Sequence, residues 1–317
     1  MRNLGKTLLR IVVWIVAIVI GGIALTLGAT AAGNAIASSS EAKRIVDYGQ
    51  KVNVDGKEMN VLVRGSKNEA AKTVVLLPGF GTAAPGIDFE PLIANLESKY
   101  RVVVVEPFGS GLSDDTYVPR TNENYIREVH TALSGLGINR YAIAAHSISG
   151  IYSLAYVNAY PDEVTAFIGI DSSVPAQPGA DEPLPIDLMQ GMKSLGLMRQ
   201  LDAAGPDPLE GLPYTEIQRE QSRILTLKNS LSEAFVSEAE LTGQNFKDAA
   251  EMRFPRDLPL LLIVAEGDDG DVAGWLTLHE EQAAQSARGQ VLLLPGDHYL
   301  HHEQAAEVGA AITQLLG

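Results

Sequence analysis

The sequence predicts an α/β architecture: a mostly parallel central sheet with helices on both faces, a helical cap inserted between two strands, and a transmembrane helix at the N-terminus. Three observations lead there. Short, continuous β-branched runs alternate with helix-like stretches, as expected of strands buried on both faces of a parallel sheet. The 80 residues from Val174 to Arg253 carry no strand signal, and Ile11 to Ser40 contains no charged residue.

The N-terminal stretch comes first. Ile11 to Ala32 is apolar enough and long enough to cross the hydrocarbon core of a bilayer as a helix. Arg2, Lys6 and Arg10 precede it, whereas Lys43 and Arg44 behind it are diluted by Glu41 and Asp47. The positive-inside rule therefore puts the N-terminus in the cytoplasm and the rest of the chain outside, a single-pass arrangement in the cell membrane. The competing reading is a secreted protein whose signal peptide is cleaved, since Ala29-Thr30-Ala31 and Ala35-Ile36-Ala37 have the small-x-small pattern. Against it stands an apolar run longer than the usual signal core of about 7–15 residues. Ala37 to Glu41 is small and polar and reads as a linker. Residues 1–40 are thus anchor and linker, and 41–317 one further domain.

Composition narrows the function classes. With 46% hydrophobic residues the chain can bury a sizeable core. Cysteine is absent, which excludes disulfides, thiolate metal sites and a cysteine nucleophile. Beyond the anchor, 21 basic residues face 39 acidic ones, a net charge of −18 that repels nucleic acid and anionic headgroups.

Along the outer domain, alternating runs at Ile45 to Val54 and Met59 to Arg64 flank Asp55-Gly56, a hairpin signal. Buried strands are expected at Thr73 to Leu77, Arg101 to Val105, Tyr141 to Ala145, Ala166 to Ile170, Leu260 to Ala265 and Val291 to Leu294. Helical stretches such as Phe89 to Ser98 and Asn122 to Leu136 lie between them. The cap, residues 174–253, shows helical periodicity in Leu184 to Leu201 and Tyr214 to Ser230. An insert without strands cannot join the sheet, so it should lie over the carboxyl edge, where open α/β sheets bind ligands. Met189, Met192, Leu195, Leu197 and Met198 recur there at helical spacing, suited either to line an apolar acyl pocket or to pack the cap.

Chemistry concentrates at the ends of these strands. In Tyr141-Ala-Ile-Ala-Ala-His-Ser147-Ile-Ser-Gly150 a strand leads through a serine, with small Ala145 and Ser149 two positions either side, into a helix expected from Ile151. A sharp strand-to-helix turn needs such small neighbours, and it exposes the serine hydroxyl as a nucleophile. Leu76-Leu-Pro-Gly-Phe80-Gly81 follows an earlier strand, and its glycines free the backbone, so the N–H groups of Phe80 and Ile148 can together form an oxyanion hole. Glu266-Gly-Asp268-Asp269-Gly-Asp271 ends another strand with carboxylates, one of which should orient a base; a solvated acidic loop or a calcium-like cluster is the bland reading. Pro295-Gly-Asp-His298 places the candidate base after the last strand. His298, His301 and His302 match no zinc pattern, so neither a metal nor a cofactor is expected. His146 should point away from Ser147 and be structural, while His130 and His279 have no supporting context.

The order Ser, Asp, His is that of the α/β-hydrolases, and from Ile45 to Gly317 the chain resembles that superfamily. Ala145-His-Ser147-Ile-Ser-Gly is similar to its Gly-His-Ser-x-Gly-Gly elbow, and Pro78-Gly-Phe-Gly81 stands where it has a His-Gly oxyanion turn. Glu106-Pro-Phe-Gly109-Ser-Gly111-Leu-Ser113-Asp114 resembles its Asp-x-x-Gly-x-Gly-x-Ser segment, and Gly296-Asp-His298 with Glu303 its Gly-His-x-x-x-x-Glu ending. Ala265-Glu-Gly-Asp268 resembles its Gly-x-x-Asp, which selects Asp268 over Asp269 and Asp271. Relatives that carry the acid one strand earlier make Asp171 the alternative. Dehalogenase and epoxide hydrolase relatives use an aspartate nucleophile, and Ser147 argues against both.

The resemblance implies a serine hydrolase acting on an ester-like acyl substrate through Ser147, His298 and Asp268, with no cofactor and a small molecule as partner. Acyl transfer and peptide or carbon–carbon bond cleavage use the same groups. A catalytically silent receptor or scaffold of the same fold is the reading from another class. The oligomeric state is not legible.

Overall fold

The structure, a computed structural model, describes residues 2–68, 70–272 and 274–317, with side chains described for 6–68, 70–268, 272 and 274–317. It divides into two compact units. The larger comprises Val46–Leu184 and Leu209–Gly317, and the smaller Met1–Ile45 with Pro185–Pro208.

The larger unit is built on an eight-stranded sheet. Its strands are β1 (Gln50–Val54), β2 (Lys57–Gly65), β3 (Thr73–Leu77), β4 (Arg101–Glu106), β5 (Tyr141–His146), β6 (Val164–Ile170), β7 (Leu260–Ala265) and β8 (Gly289–Leu294), in the spatial order β1-β2-β4-β3-β5-β6-β7-β8. β1 pairs antiparallel with β2 through the Asp55-Gly56 turn, at φ 53° and 84°, and β2 antiparallel with β4; every later pairing is parallel. The expected strands are all present; most match or are extended by a few residues, whereas the first run, expected from Ile45, forms a strand only from Gln50.

Side chains alternate across this sheet and feed two cores. Val75, Leu77, Val103, Val105, Ile143 and Ala145 point to one face, Val74, Leu76, Val102, Val104, Ala142 and Ala144 to the other, all nearly inaccessible. The first face is covered by α4 (Asn122–Gly135) and α5 (Ser149–Ala159), the second by α3 (Glu90–Leu96) and α13 (Ala305–Leu316). Burial on both faces is why the strands are continuous apolar runs, each buried Val, Leu or Ile contributing about 1.5–3 kcal/mol. Thr121 caps α4 by accepting from the Asn124 N–H.

Residues 209–253 of the cap belong to this unit. They form α8 (Glu216–Asn229), opened by a Thr215–Gln218 capping box, and α9 (Glu233–Ala249), whose Ser232 cap accepts from the Phe235 N–H. Asn229 Nδ2 donates to the carbonyls of Ala83 and Gly111, both at 2.9 Å, which seats α8 and α9 over the loops following β3 and β4. Short helices α2 (Pro85–Asp88), α10 (Glu266–Asp271), α11 (Trp275–Ala283) and α12 (Leu300–Glu303) complete the unit.

The smaller unit is helical. Its long helix α1 (Arg2–Ala42) runs on through Ala37 to Glu41, where the composition suggests a linker, and Lys6–Ala42 is apolar and long enough to cross a membrane. The reason is visible on one helix face: Asn34, Ser38 and Glu41, at i, i+4 and i+7, all accept hydrogen bonds from Arg199, at 2.9, 3.0 and 2.7 Å. Arg199 lies in α7 (Leu197–Ala204), which follows α6 (Ile186–Ser194). Gly196 at φ 74° separates the two where the sequence suggests one helix, and a Cβ there would stand 2.7 Å from the carbonyl oxygen of Thr30.

Candidate active site

The groups singled out in the sequence sit at the carboxyl ends of parallel strands: Phe80 after β3, Ser147 after β5, Asp171 after β6, Asp268 after β7 and His298 after β8. Ser147 has φ 54°, a left-handed conformation that costs a non-glycine residue about 1–3 kcal/mol and marks a strained turn. Tight packing holds it there. Its carbonyl accepts from the N–H groups of Gly150 and Ser173 at 2.9 and 2.8 Å, the Ser149 hydroxyl donates to the Pro78 carbonyl, and a Cβ on Gly150 would collide with the Ser173 carbonyl. The helix begins at Ser149, two residues earlier than expected.

The Ser147 hydroxyl lies 2.9 Å from Nε2 of His298. On the far side of the ring, Nδ1–H faces two carboxylates, Asp171 Oδ2 at 2.6 Å and Asp268 Oδ2 at 3.0 Å. Both candidates therefore converge on the base. They are not equivalent. Asp171 is fully buried, and its other oxygen accepts from the Ala265 N–H and from Nε1–H of Trp275, each at 2.9 Å. Asp268, in the first turn of α10, keeps 22% of its side chain exposed. The side chain of Asp269, the other alternative acid, lies outside the described residues, as does that of Asp271.

Electrostatics follows this geometry. Burial works against an ionised Asp171, yet hydrogen bonds from His298, the Ala265 N–H and Trp275 bring its carboxyl down to about 2. Asp268 moves the other way, to about 6, because burial and the neighbouring Asp171 charge outweigh the pull of His298. For His298 burial disfavours the imidazolium, but the hydrogen bond and charge of Asp171, reinforced by Asp268, raise its pKa above the ordinary histidine value. The arrangement holds Nε2 unprotonated toward the serine and stabilises a proton once it arrives.

The turn after β3 closes the site. A Cβ on Gly79 would stand 2.7 Å from His146 Nδ1 and 3.0 Å from Ser147 Cβ, so only glycine lets the turn approach the elbow. Neither the Phe80 nor the Ile148 N–H has an acceptor among the described residues. Glu106, standing where the resemblance has an aspartate, fixes the neighbouring loop by accepting from Tyr48, Asn60, Gly86 and Leu112 at 2.6–2.9 Å.

The remaining histidines take structural places. His146 is buried and donates through Nε2 to the His298 carbonyl at 3.0 Å, holding the loop that carries the base. His301 and His302 are buried, and each meets an Asp88 oxygen through Nε2, at 2.8 and 2.9 Å. These three side chains are close enough to hold an ion, but their separations are those of hydrogen bonds. His279 bonds the Ser172 carbonyl at 2.8 Å and His130 pairs with Glu163 at 3.0 Å. Sequence reasoning missed Trp275, whose indole N–H locks Asp171; a tryptophan in the helix after the acidic turn was the available signal.

The family model described as "Alpha/beta hydrolase family" matches residues 74–311. The chain belongs to the alpha/beta hydrolase family. It is 25% identical over 283 residues to the uncharacterized protein YbdG of Bacillus subtilis, covering 85% of this chain and 86% of that one. Among solved structures, the enol-lactonase from Burkholderia xenovorans LB400 superposes with a TM-score of 0.64 at 18% identity, over 84% of this chain and 99% of the lactonase. The epoxide hydrolase VrEH1 from Vigna radiata gives 0.63 at 18%, over 86% and 98%. At such identities the two structures establish the fold alone.

Proposed function

We propose that this alpha/beta hydrolase is a serine esterase anchored in the cell membrane, with its catalytic unit on the extracytoplasmic side. The observation that carries the reading is the unbroken line from the Ser147 hydroxyl through both nitrogens of His298 to the buried carboxylate of Asp171. A binding-only protein has no physical need for a strained serine, an oriented base and two unengaged N–H groups in one place.

In the mechanism His298 takes the hydroxyl proton as Ser147 attacks an ester carbonyl. The carbon–oxygen double bond opens to an oxyanion, which the N–H groups of Phe80 and Ile148 receive. His298 then returns the proton to the leaving alcohol as the tetrahedral intermediate collapses to an acyl-enzyme. Water, deprotonated by His298 in turn, attacks the acyl carbon, and as that intermediate collapses the acid leaves while His298 returns the proton to Ser147. Asp171 holds the ring and its tautomer and stabilises the imidazolium, while Asp268 lends a second, weaker charge. Ser147 also separates this site from the aspartate-nucleophile chemistry that the resemblance associates with epoxide hydrolases.

The anchor rests on α1 and on Arg2, Lys6 and Arg10 ahead of its apolar run. Hydrolysis of p-nitrophenyl esters of graded chain length, beside labelling with a fluorophosphonate probe, tests the enzyme. Wild type should turn over and label, and both should vanish in Ser147→Ala; a folded protein that does neither is the silent receptor. Membrane-pelleted protein that resists alkaline extraction and is digested by external protease supports the anchor, whereas release into the medium supports cleavage.

A further inference from the structure

We infer that Asp88 is a positioning residue for the reaction: its single carboxylate ties the segment that carries His298 to the segment that follows the oxyanion turn, and so fixes where the base stands. The inference rests on the serine esterase reading and deepens it.

The base needs such a tie. His298 lies in irregular backbone between β8 and α12. Among the described residues that backbone is held to elements outside it at two points, by the Gly267 N–H on the Gly296 carbonyl and by Nε2–H of His146 on the His298 carbonyl, each at 3.0 Å. Just past it, His301 and His302 add two more. Three and four residues beyond the base, they donate through Nε2 to separate oxygens of Asp88, at 2.8 and 2.9 Å. Both rings are buried, and His301 also packs on His146, with ring centroids 4.5 Å apart.

Asp88 is itself fixed from the other side. It ends α2, the short helix behind the turn of Phe80 and Gly81, and its N–H donates to the Ala84 carbonyl at 2.9 Å. Its own carbonyl accepts the Tyr214 hydroxyl at 2.7 Å, just ahead of the Thr215 cap of α8. One residue therefore joins the loop of the base, the segment behind the oxyanion donor and the start of a cap helix.

The chemistry calls for a carboxylate. An ionised one accepts through both oxygens, so two N–H groups can meet it at once. Burial works against its charge, but the charges and hydrogen bonds of His301 and His302 hold the Asp88 carboxyl well below the ordinary carboxylate range. An amide in its place would turn an NH2 toward one histidine, which must then present a bare Nε2 and carry its proton on Nδ1. At His301 that Nδ1 is buried with no hydrogen-bond partner, so the exchange falls to His302 or the bond is lost.

The test reads kcat, KM and the melting temperature of full-length protein in detergent, with p-nitrophenyl butyrate, for Asp88→Ala, Asp88→Asn and Tyr141→Phe. Tyr141 opens β5 at the end opposite Ser147 and bonds Tyr156 and Glu163 through its hydroxyl, so its variant loses stability without touching the site. Asp88→Ala should lower kcat by roughly 10²-fold with KM little changed, as expected of a displaced base, and Asp88→Asn should fall in between. Tyr141→Phe should keep wild-type kcat. A second readout is the low-field proton resonance of His298 Nδ1–H, identified by its absence in His298→Ala. It should be present in wild type and in Tyr141→Phe, and broaden or vanish in Asp88→Ala. Wild-type kcat with an intact resonance in folded Asp88→Ala, or a kcat loss matched by Tyr141→Phe, overturns the inference. Should the alanine variant not fold, wild-type kcat in Asp88→Asn overturns it. If wild type fails to hydrolyse the ester, the esterase reading falls and the resonance alone decides the tie: loss in Asp88→Ala keeps it, and persistence removes it.

Discussion

Asp171 and Asp268 reach the same atom, Nδ1 of His298, from the ends of two adjacent strands. Two carboxylates this close cannot both ionise freely, and the environment separates them: Asp171 is held ionised by three donors, His298, Trp275 and the Ala265 N–H, while Asp268 is displaced upward to about 6. The pair is therefore a strong orienter with a weaker, titrating companion.

That asymmetry sets the first expectation. Asp171→Asn should reduce kcat by roughly 10³–10⁴-fold, because an amide cannot hold the imidazole in the required tautomer or stabilise its charged form. Asp268→Asn should cost about tenfold or less. Steady-state kinetics on p-nitrophenyl butyrate decides the matter, and the reverse ranking would hand the principal role to Asp268.

The pH profile gives a second. His298 acts as base only when neutral, so kcat/KM must fall as pH drops through its pKa, and that pKa lies above the ordinary histidine value. The acid limb should accordingly have its midpoint above about 6.5. Removing the Asp268 charge destabilises the imidazolium, so Asp268→Asn should move the midpoint to lower pH. A midpoint that stays put or climbs contradicts the charge assignment.

Trp275 supplies a third. Its indole N–H is one of the donors that hold Asp171, and Trp275→Phe leaves a buried carboxylate oxygen short of a partner at a cost of about 1–3 kcal/mol. Both the melting temperature and kcat should fall, kcat by roughly tenfold, since a less constrained Asp171 orients His298 less well. A variant that loses stability but keeps full kcat would restrict Trp275 to a packing role.

How much of this was legible depends on where the information lies. The strands could be read because their side chains are buried on both faces, as with Val102 to Val105, which leaves an uninterrupted apolar run in the sequence itself. Ser147 and His298 were legible because a sharp turn and a strand end impose local patterns. The convergence of Asp171 with Asp268 was not, because it depends on β6 and β7 being neighbours, and no local pattern distinguishes an acid that reaches Nδ1 from one that does not. The split of α6 from α7 at Gly196, helix α9 and the helical Ala37 to Glu41 escaped for a related reason. Arg199 satisfies the polar residues of that last stretch from 158 positions away along the chain.

Gly79 tests the approach of the turn to the elbow. No left-handed φ is required of it, so the demand for glycine is steric: a methyl group would press on His146 Nδ1 and Ser147 Cβ. Gly79→Ala should displace the Phe80 N–H and lower kcat by about 10²–10³-fold, the effect of losing one oxyanion donor. KM and the melting temperature should change little by comparison. A fall in stability with intact kcat would show that the turn can move without harming the site.

Arg199 carries the last expectation, in the smaller unit. It bonds three acceptors on one face of α1 and is largely buried with Glu41, at 12% and 8% side-chain exposure, so the pair is better shielded from water than a surface ion pair. Arg199→Ala should destabilise the packing of α6 and α7 on α1 by about 1–3 kcal/mol. Arg199→Lys, which keeps the charge but cannot fork to three oxygens, should fall in between. The readout is limited proteolysis of full-length protein in nanodiscs, with cleavage rising within residues 185–208 in the order wild type, lysine, alanine. Equal cleavage in all three would mean that the hairpin is held by something other than this arginine, and the continuous helix through Ala37 to Glu41 would then need another cause.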